Sequence, residues 1–149
     1  MTKILVLQGA NMNWLGVREP DKYGTTTAAE LDERIRRYAE DKGFEVEIVY
    51  TNLEGAAIDR LYEAHEAGID AVVMNPGGFT YAGYALRDCV RGIKVPVVEV
   101  HMTNHYARGI ESASASAARV VLMGAGIQTY FLGLDAALHL ASEARAAGG

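Results

Sequence analysis

Cysteine is almost missing from this chain: Cys89 is the only one in 149 residues. No internal disulfide can form, and the chain fits a reducing compartment. Cys89 lies in "YALRDCV", where a thiol reads as helical core packing. A basic excess is missing too, with 14 Lys and Arg against 19 Asp and Glu and a net charge of −5. Without a basic cluster, nucleic acid is not an expected partner. Met1-Thr2-Lys3 leads into an apolar run too short for a signal core or a membrane span. A cytoplasmic protein without a membrane partner is the expectation. The first strand is followed by Gly9-Ala10-Asn11, not a three-glycine fingerprint, and Gly124-Ala125-Gly126 comes only after the last strand. With no P-loop either, dinucleotide and nucleoside triphosphate sites are excluded. His65, His101, His105 and His139 have no metal-ligand spacing, so no metal is expected. His65 and His139 read as surface or packing residues within helices.

What is present is apolar patterning, in half of the residues, over a length that suits one domain, residues 1–149. "KILVLQG", "FEVEIVYTN", "DAVVMNPGG", "VPVVEVHMTN" and "RVVLMGAG" read as strands, most of them continuous apolar runs of the kind buried on both faces of a parallel sheet. Between them lie helical segments. Residues 27–42 carry Leu31, Ile35 and Tyr38 or Ala39 on one face, with capping candidates at Thr25 to Thr27 and Gly43 as the stop. A second helix runs to Gly68, a third covers Tyr81 to Arg91, and "QTYFLGLDAALHLASEARA" closes the chain. Five strands alternating with helices predict an α/β fold, a doubly wound five-stranded parallel sheet.

Such sheets bind ligands beyond the carboxyl ends of their strands. There the chain places Asn11, Asn13, Arg18 and Tyr23, then Asn52, then Asn75, Thr80 and Tyr81, and finally Glu99, His101, Thr103 and Asn104. Strand alternation puts Glu99 and His101 on the same side. A carboxylate beside an imidazole fixes its tautomer and favours its charged form, as a general acid requires. Plainer readings remain open for the others. Asn75-Pro76-Gly77-Gly78 is a turn by composition, Arg18 serves equally as a surface cation, and Tyr23 as a packing residue.

Taken together, "ILVLQGANMNWLGVREPDKYG", "TNLEGAAIDRLYEA", "VVMNPGGFTYAGYALRDCV", "PVVEVHMTN" and "GAGIQTY" resemble the type II 3-dehydroquinate dehydratases, in order and over nearly the full chain. The resemblance implies a flavodoxin-like fold, a homododecamer of four trimers, and a lyase that acts without metal or organic cofactor. Its substrate is a small cyclic carboxylate, 3-dehydroquinate, which loses water to give 3-dehydroshikimate in shikimate-pathway chemistry. It further implies that Tyr23 is a phenolate base on a lid, stabilised by Arg18. A phenol is a poor base at neutral pH unless a cation favours its ionised form. Asn11 would hold a water against the enolate. His101, oriented by Glu99, would protonate the departing hydroxyl held beside Asn75. Met102 and Thr103 would bind the carboxylate, and Asp88 would reach a neighbouring subunit's site.

The chain departs from that family at recognition. Gln8-Gly9-Ala10-Asn11 stands for Asn-Gly-Pro-Asn, and Tyr81 replaces a histidine that binds ring hydroxyls. "HYARGIESASASAARVV" is about three residues shorter than its counterpart and lacks an arginine with the same task. Arg108, Arg119 or a residue of another chain are the candidates to replace it. Two further readings therefore stand beside the first: the same elimination on a cyclic hydroxy-keto acid with altered ring hydroxyls, and a ligand-binding descendant without activity.

Overall fold

Successive residues of each buried strand point to opposite faces, and both faces here are apolar. The structure is a computed structural model that describes residues 1–148; Gly149, the end of the expected domain, lies outside the described residues. Five strands, β1 (Lys3–Ala10), β2 (Glu45–Tyr50), β3 (Ala71–Gly77), β4 (Val97–His101) and β5 (Val120–Met123), form one parallel sheet in the order β2-β1-β3-β4-β5. Five helical segments connect or follow them: the single turn α1 (Pro20–Tyr23), α2 (Ala28–Lys42), α3 (Glu54–Glu66), α4 (Tyr84–Gly92) and α5 (Gln128–Gly148). Ile4, Val6, Val73, Val98 and Val100 pack on one face with α2 and α5. Leu5, Leu7, Val72 and Met74 pack on the other with α3 and α4, and Cys89 belongs to that second core. No helix among the described residues is long and apolar enough to cross a membrane.

Local chemistry sets the helix ends. Thr27 caps α2 through a capping box: its hydroxyl accepts from the Glu30 amide at 3.1 Å, and the Glu30 carboxylate accepts from the Thr27 amide at 3.4 Å. The buried stripe of α2 is Leu31, Ile35 and Ala39, with Tyr38 packed at its margin. One helix begins later than the sequence pattern predicts. Gly78–Thr80 form a 3-10 turn, and the Gly83 amide donates to the Phe79 carbonyl at 2.7 Å, so α4 starts at Tyr84 and Tyr81 stays in a loop. The segment after β4 is also more structured than its composition implies, with 3-10 turns at His105–Arg108 and Ala115–Ala117.

The strand order reverses direction between β1 and β3, and at such a switch point the loops leaving the two strands diverge and open a crevice. Close approach of the two strand ends depends on Gly9. A Cβ built there would sit 2.1 Å from the Pro76 carbonyl oxygen, which is backbone and cannot rotate away. Gly9→Ala should therefore force the ends of β1 and β3 apart and lower stability by more than about 2 kcal/mol, the scale of an overpacked core. Urea unfolding checks this; an unchanged midpoint would mean that the strand ends separate without cost.

Candidate active site

The crevice at the switch point is a cleft enclosing about 750 Å³, part of it open solvent at the mouth. One wall is the segment between β1 and α2. A 3-10 turn at Met12–Trp14 leads into a loop whose two ends are Gly16 (φ +86°) and Gly24 (φ +82°), conformations that disfavour any side chain. Between these hinges the Arg18 amide donates to the Trp14 carbonyl at 2.9 Å, and α1 places Tyr23 toward the cleft, which it lines together with Arg18. The Arg18 guanidinium lies 5.8 Å from the Tyr23 ring centroid and the Lys22 ammonium 5.9 Å. Glu19 steadies both cations, at 3.6 Å from Arg18 and 3.2 Å from Lys22. Two positive charges at the edge of the cleft attract an anionic ligand.

The second wall is the end of β4. Glu99 has no exposed surface, and three donors converge on its carboxylate: the His101 Nε2 proton at 2.7 Å, the Ser112 hydroxyl at 2.6 Å and the Ser114 hydroxyl at 2.5 Å. Burial alone would raise the pKa of this carboxyl. The His101 imidazole and the two serine hydroxyls bind the charged form and hold it below the usual carboxylate value. With Nε2–H committed to Glu99, His101 has Nδ1 left to exchange a proton with a ligand.

Asn75 is fixed on both sides. Its Nδ2 donates to the Tyr130 hydroxyl at 2.8 Å and its Oδ1 accepts from the Gly77 amide at 2.9 Å. Tyr130 in turn donates to Gln8 Oε1 at 2.8 Å, and burial pushes its pKa up, so it remains a neutral donor. Asn75 thus keeps one amide hydrogen for the cleft. Asn11 adopts the left-handed conformation (φ 72°), and its amide donates to Asn52 Oδ1 at 2.7 Å. Met102 and Thr103 line the cleft beyond His101, and Arg108 donates to the Thr103 hydroxyl at 3.0 Å.

Nine of the ten residues that the resemblance placed at the site thus meet here: Asn11, Arg18, Tyr23, Asn75, Tyr81, His101, Met102 and Thr103 line the cleft, with Glu99 directly behind His101. Asp88 does not. It lies exposed on α4, 3.4 Å from Arg87 and outside this chain's cleft. Of the arginines left open by the sequence, Arg108 lines the cleft and Arg119 does not.

A family model described as dehydroquinase class II matches residues 2–138. The chain belongs to that family. Its class II dehydroquinase relatives include the 3-dehydroquinate dehydratase of Syntrophotalea carbinolica, 46% identical over 94% of this chain and 97% of that one. The catabolic 3-dehydroquinase of Debaryomyces hansenii is 36% identical over 92% of this chain and 97% of its own. Among solved structures, the type II dehydroquinase of Butyrivibrio crossotus superposes with a TM-score of 0.87 at 35% identity, covering 91% of this chain and 97% of that one.

Sequence reasoning missed Ser112, Ser114, Lys22, Gln8, Tyr130 and His105. Lys22 was within reach, one residue from Tyr23 on a single helical turn. The serines lie in an Ala/Ser stretch without periodicity, so nothing local marks them. Their role is separable by pH. A depressed folded-state pKa gives stability that is present above the unfolded value of 4.5 and is lost as pH falls through the folded value. Removing both hydroxyls raises the folded value, so Ser112→Ala/Ser114→Ala should lose about 2 kcal/mol or more at neutral pH and much less in acid. Equal loss at both pH values in urea titrations would rule out action through the charged carboxylate.

Proposed function

We propose that this protein is a hydro-lyase that removes water from 3-dehydroquinate to give 3-dehydroshikimate, with residues 1–149 acting as one catalytic domain. The observation that carries the reading is the meeting of two groupings in one cleft: a phenol with two cations on a hinged loop, and an imidazole on a buried carboxylate. Together they supply a base and an acid, which is what elimination of water alpha, beta to a ketone demands.

The ionised Tyr23 takes the proton alpha to the ketone, and the electron pair moves into an enolate. Lid closure over the substrate expels water and strengthens the pull of Arg18 and Lys22 on the phenolate. A water held by Asn11 stabilises the enolate oxygen. As the enolate collapses, the bond to the tertiary hydroxyl breaks, and His101 gives that oxygen a proton so that it leaves as water. Asn75 holds this oxygen with its free amide hydrogen. Glu99 stabilises the protonated ring and keeps its orientation through the reaction. The substrate carboxylate lies at Met102 and Thr103, where the Arg108 guanidinium adds charge. The acid and base are supplied by side chains, so the cycle runs without metal or organic cofactor. The working form is a dodecamer of trimers, in which Asp88 serves a neighbouring subunit; exposed Tyr81 and Tyr84 near it suit such an interface. The single thiol of Cys89 accords with a cytoplasmic setting.

A second reading keeps this chemistry and changes the ring. It is favoured by Tyr81, 57% exposed where a hydroxyl-binding histidine is usual, and by Ser112, which turns inward onto Glu99. Formation of the conjugated enone, followed by ultraviolet absorbance, tests both. Turnover of 3-dehydroquinate supports the first reading; turnover confined to ring-altered analogues supports the second; no turnover on either leaves only the ligand-binding descendant. On the active substrate, Tyr23→Phe and His101→Ala should each lower kcat by more than about a hundredfold. Wild-type rates in both variants would overturn the mechanism.

A further inference from the structure

The first turn of α5 takes no direct part in the elimination described above, and Tyr130 within it does not line the cleft. Its ring is buried and packs with Val73, Val98 and Val100. Its hydroxyl nonetheless has two polar partners, Asn75 at 2.8 Å and Gln8 at 2.8 Å, one from each of the strands that flank the switch point. The direction of these bonds follows from one backbone group. The Gly77 amide can only donate, so the Asn75 atom facing it is Oδ1, and Nδ2 faces Tyr130. The Tyr130 oxygen therefore accepts from Asn75, and its one hydrogen goes to Gln8 Oε1.

The far end of this chain is left unsatisfied. Gln8 has no exposed surface, and its Nε2 has no hydrogen-bond partner among the described residues. Turning the Gln8 amide over would point two donors at the Tyr130 oxygen and leave the Tyr130 hydrogen without an acceptor. A phenylalanine at 130 and a methionine at 8 would fill the same space without an unpaired buried donor. What they would give up is the hold on Asn75.

The same turn is tied to the end of β4. The Gly124 amide donates to the His101 carbonyl at 3.2 Å and the Gly126 amide to the Met102 carbonyl at 2.9 Å. Between them the Ala125 amide donates to the Thr129 hydroxyl at 3.0 Å. Three residues beyond Tyr130, Gly133 lets α5 lie close on β4: a Cβ there would stand 2.6 Å from Val100 Cγ1. Tyr130 thus projects from backbone fixed to His101, and its hydroxyl holds Asn75 on the neighbouring strand. We infer that Tyr130 is a positioning residue for the acid step: it keeps the Asn75 amide in register with His101, so that both meet the departing hydroxyl at once. The inference rests on the dehydratase reading, which gives that hydroxyl to Asn75 and His101.

Steady-state kinetics on the active substrate, unlabelled and deuterated at the abstracted position, test the assignment. Tyr130→Phe should lower kcat about 3- to 13-fold, the scale of one neutral hydrogen bond. In an Asn75→Ala background, with no amide left to hold, the same substitution should change kcat by less than about twofold. Only cleavage of the carbon–oxygen bond should slow, so the isotope effect on kcat should fall towards one, or stay at one if it begins there. General damage to the fold would slow both steps and lower kcat in both backgrounds. Equal losses in the two backgrounds, an unchanged kcat in Tyr130→Phe, or an isotope effect that rises or holds above one therefore overturn the proposal. Where Tyr130→Phe fails to fold, Gln8→Met, which removes the acceptor of the Tyr130 hydrogen, should show the same pattern, and its absence overturns the proposal as well. Wild-type enone formation is scored first. Its absence on every cyclic hydroxy-keto acid removes the dehydratase reading and this inference with it, whereas an active wild type without the coupling removes the Tyr130 assignment alone.

Discussion

A carboxylate with no exposed surface is the constraint around which this site is built. Removing a charge from water costs several kcal/mol unless hydrogen bonds replace the lost hydration. Glu99 meets that requirement with three donors, one from its own strand and two from the loop before β5. Its position is not adjustable, because β4 pairs Glu99 with Met74 of β3 on one side and with Val121 of β5 on the other. The orientation of His101 is therefore inherited from the middle of the sheet. A general acid anchored in this way needs no reorganisation when the ligand arrives.

The base is held in the opposite manner. Tyr23 sits on one helical turn between two glycines of positive φ, with half-exposed cations beside it. Exposed charges are screened by water, and excluding water from the cleft would strengthen those of Arg18 and Lys22. In the proposed mechanism a rigid acid and a phenol on a hinged loop would make elimination conditional on ligand binding.

Much of this was legible in the sequence because it follows from short-range rules. Continuous apolar runs marked the buried strands, and alternation placed Glu99 and His101 on one side before any contact was known. The Arg-Glu-Pro and Tyr-Gly pattern marked a loop whose Arg18 and Tyr23 line the cleft. What stayed hidden reaches the site through long-range contacts. Gln8 and Tyr130 are 122 residues apart and meet only because α5 packs over β3 and β4, next to the end of β1. Ser112 and Ser114 are brought to Glu99 by a loop whose path depends on the Ala113 amide donating to the Thr80 carbonyl at 2.9 Å. The late start of α4 was hidden for a related reason, since the 3-10 turn after Gly77 exists to carry the chain around the end of β1.

That same tie between Ala113 and Thr80 bears on substrate choice. Residues 103–114 contain Thr103 and Arg108 at the carboxylate end of the cleft, His105 and Ile110 along its side, and the two serines that clamp Glu99. Recognition and acid catalysis thus share one stretch of backbone. Ser112 is committed to Glu99 and does not line the cleft, so its hydroxyl cannot serve both purposes. A change of specificity in this scaffold is therefore not a free exchange of side chains around a fixed acid. An exchange that moves Ser112 or Ser114 removes hydrogen bonds that keep Glu99 charged.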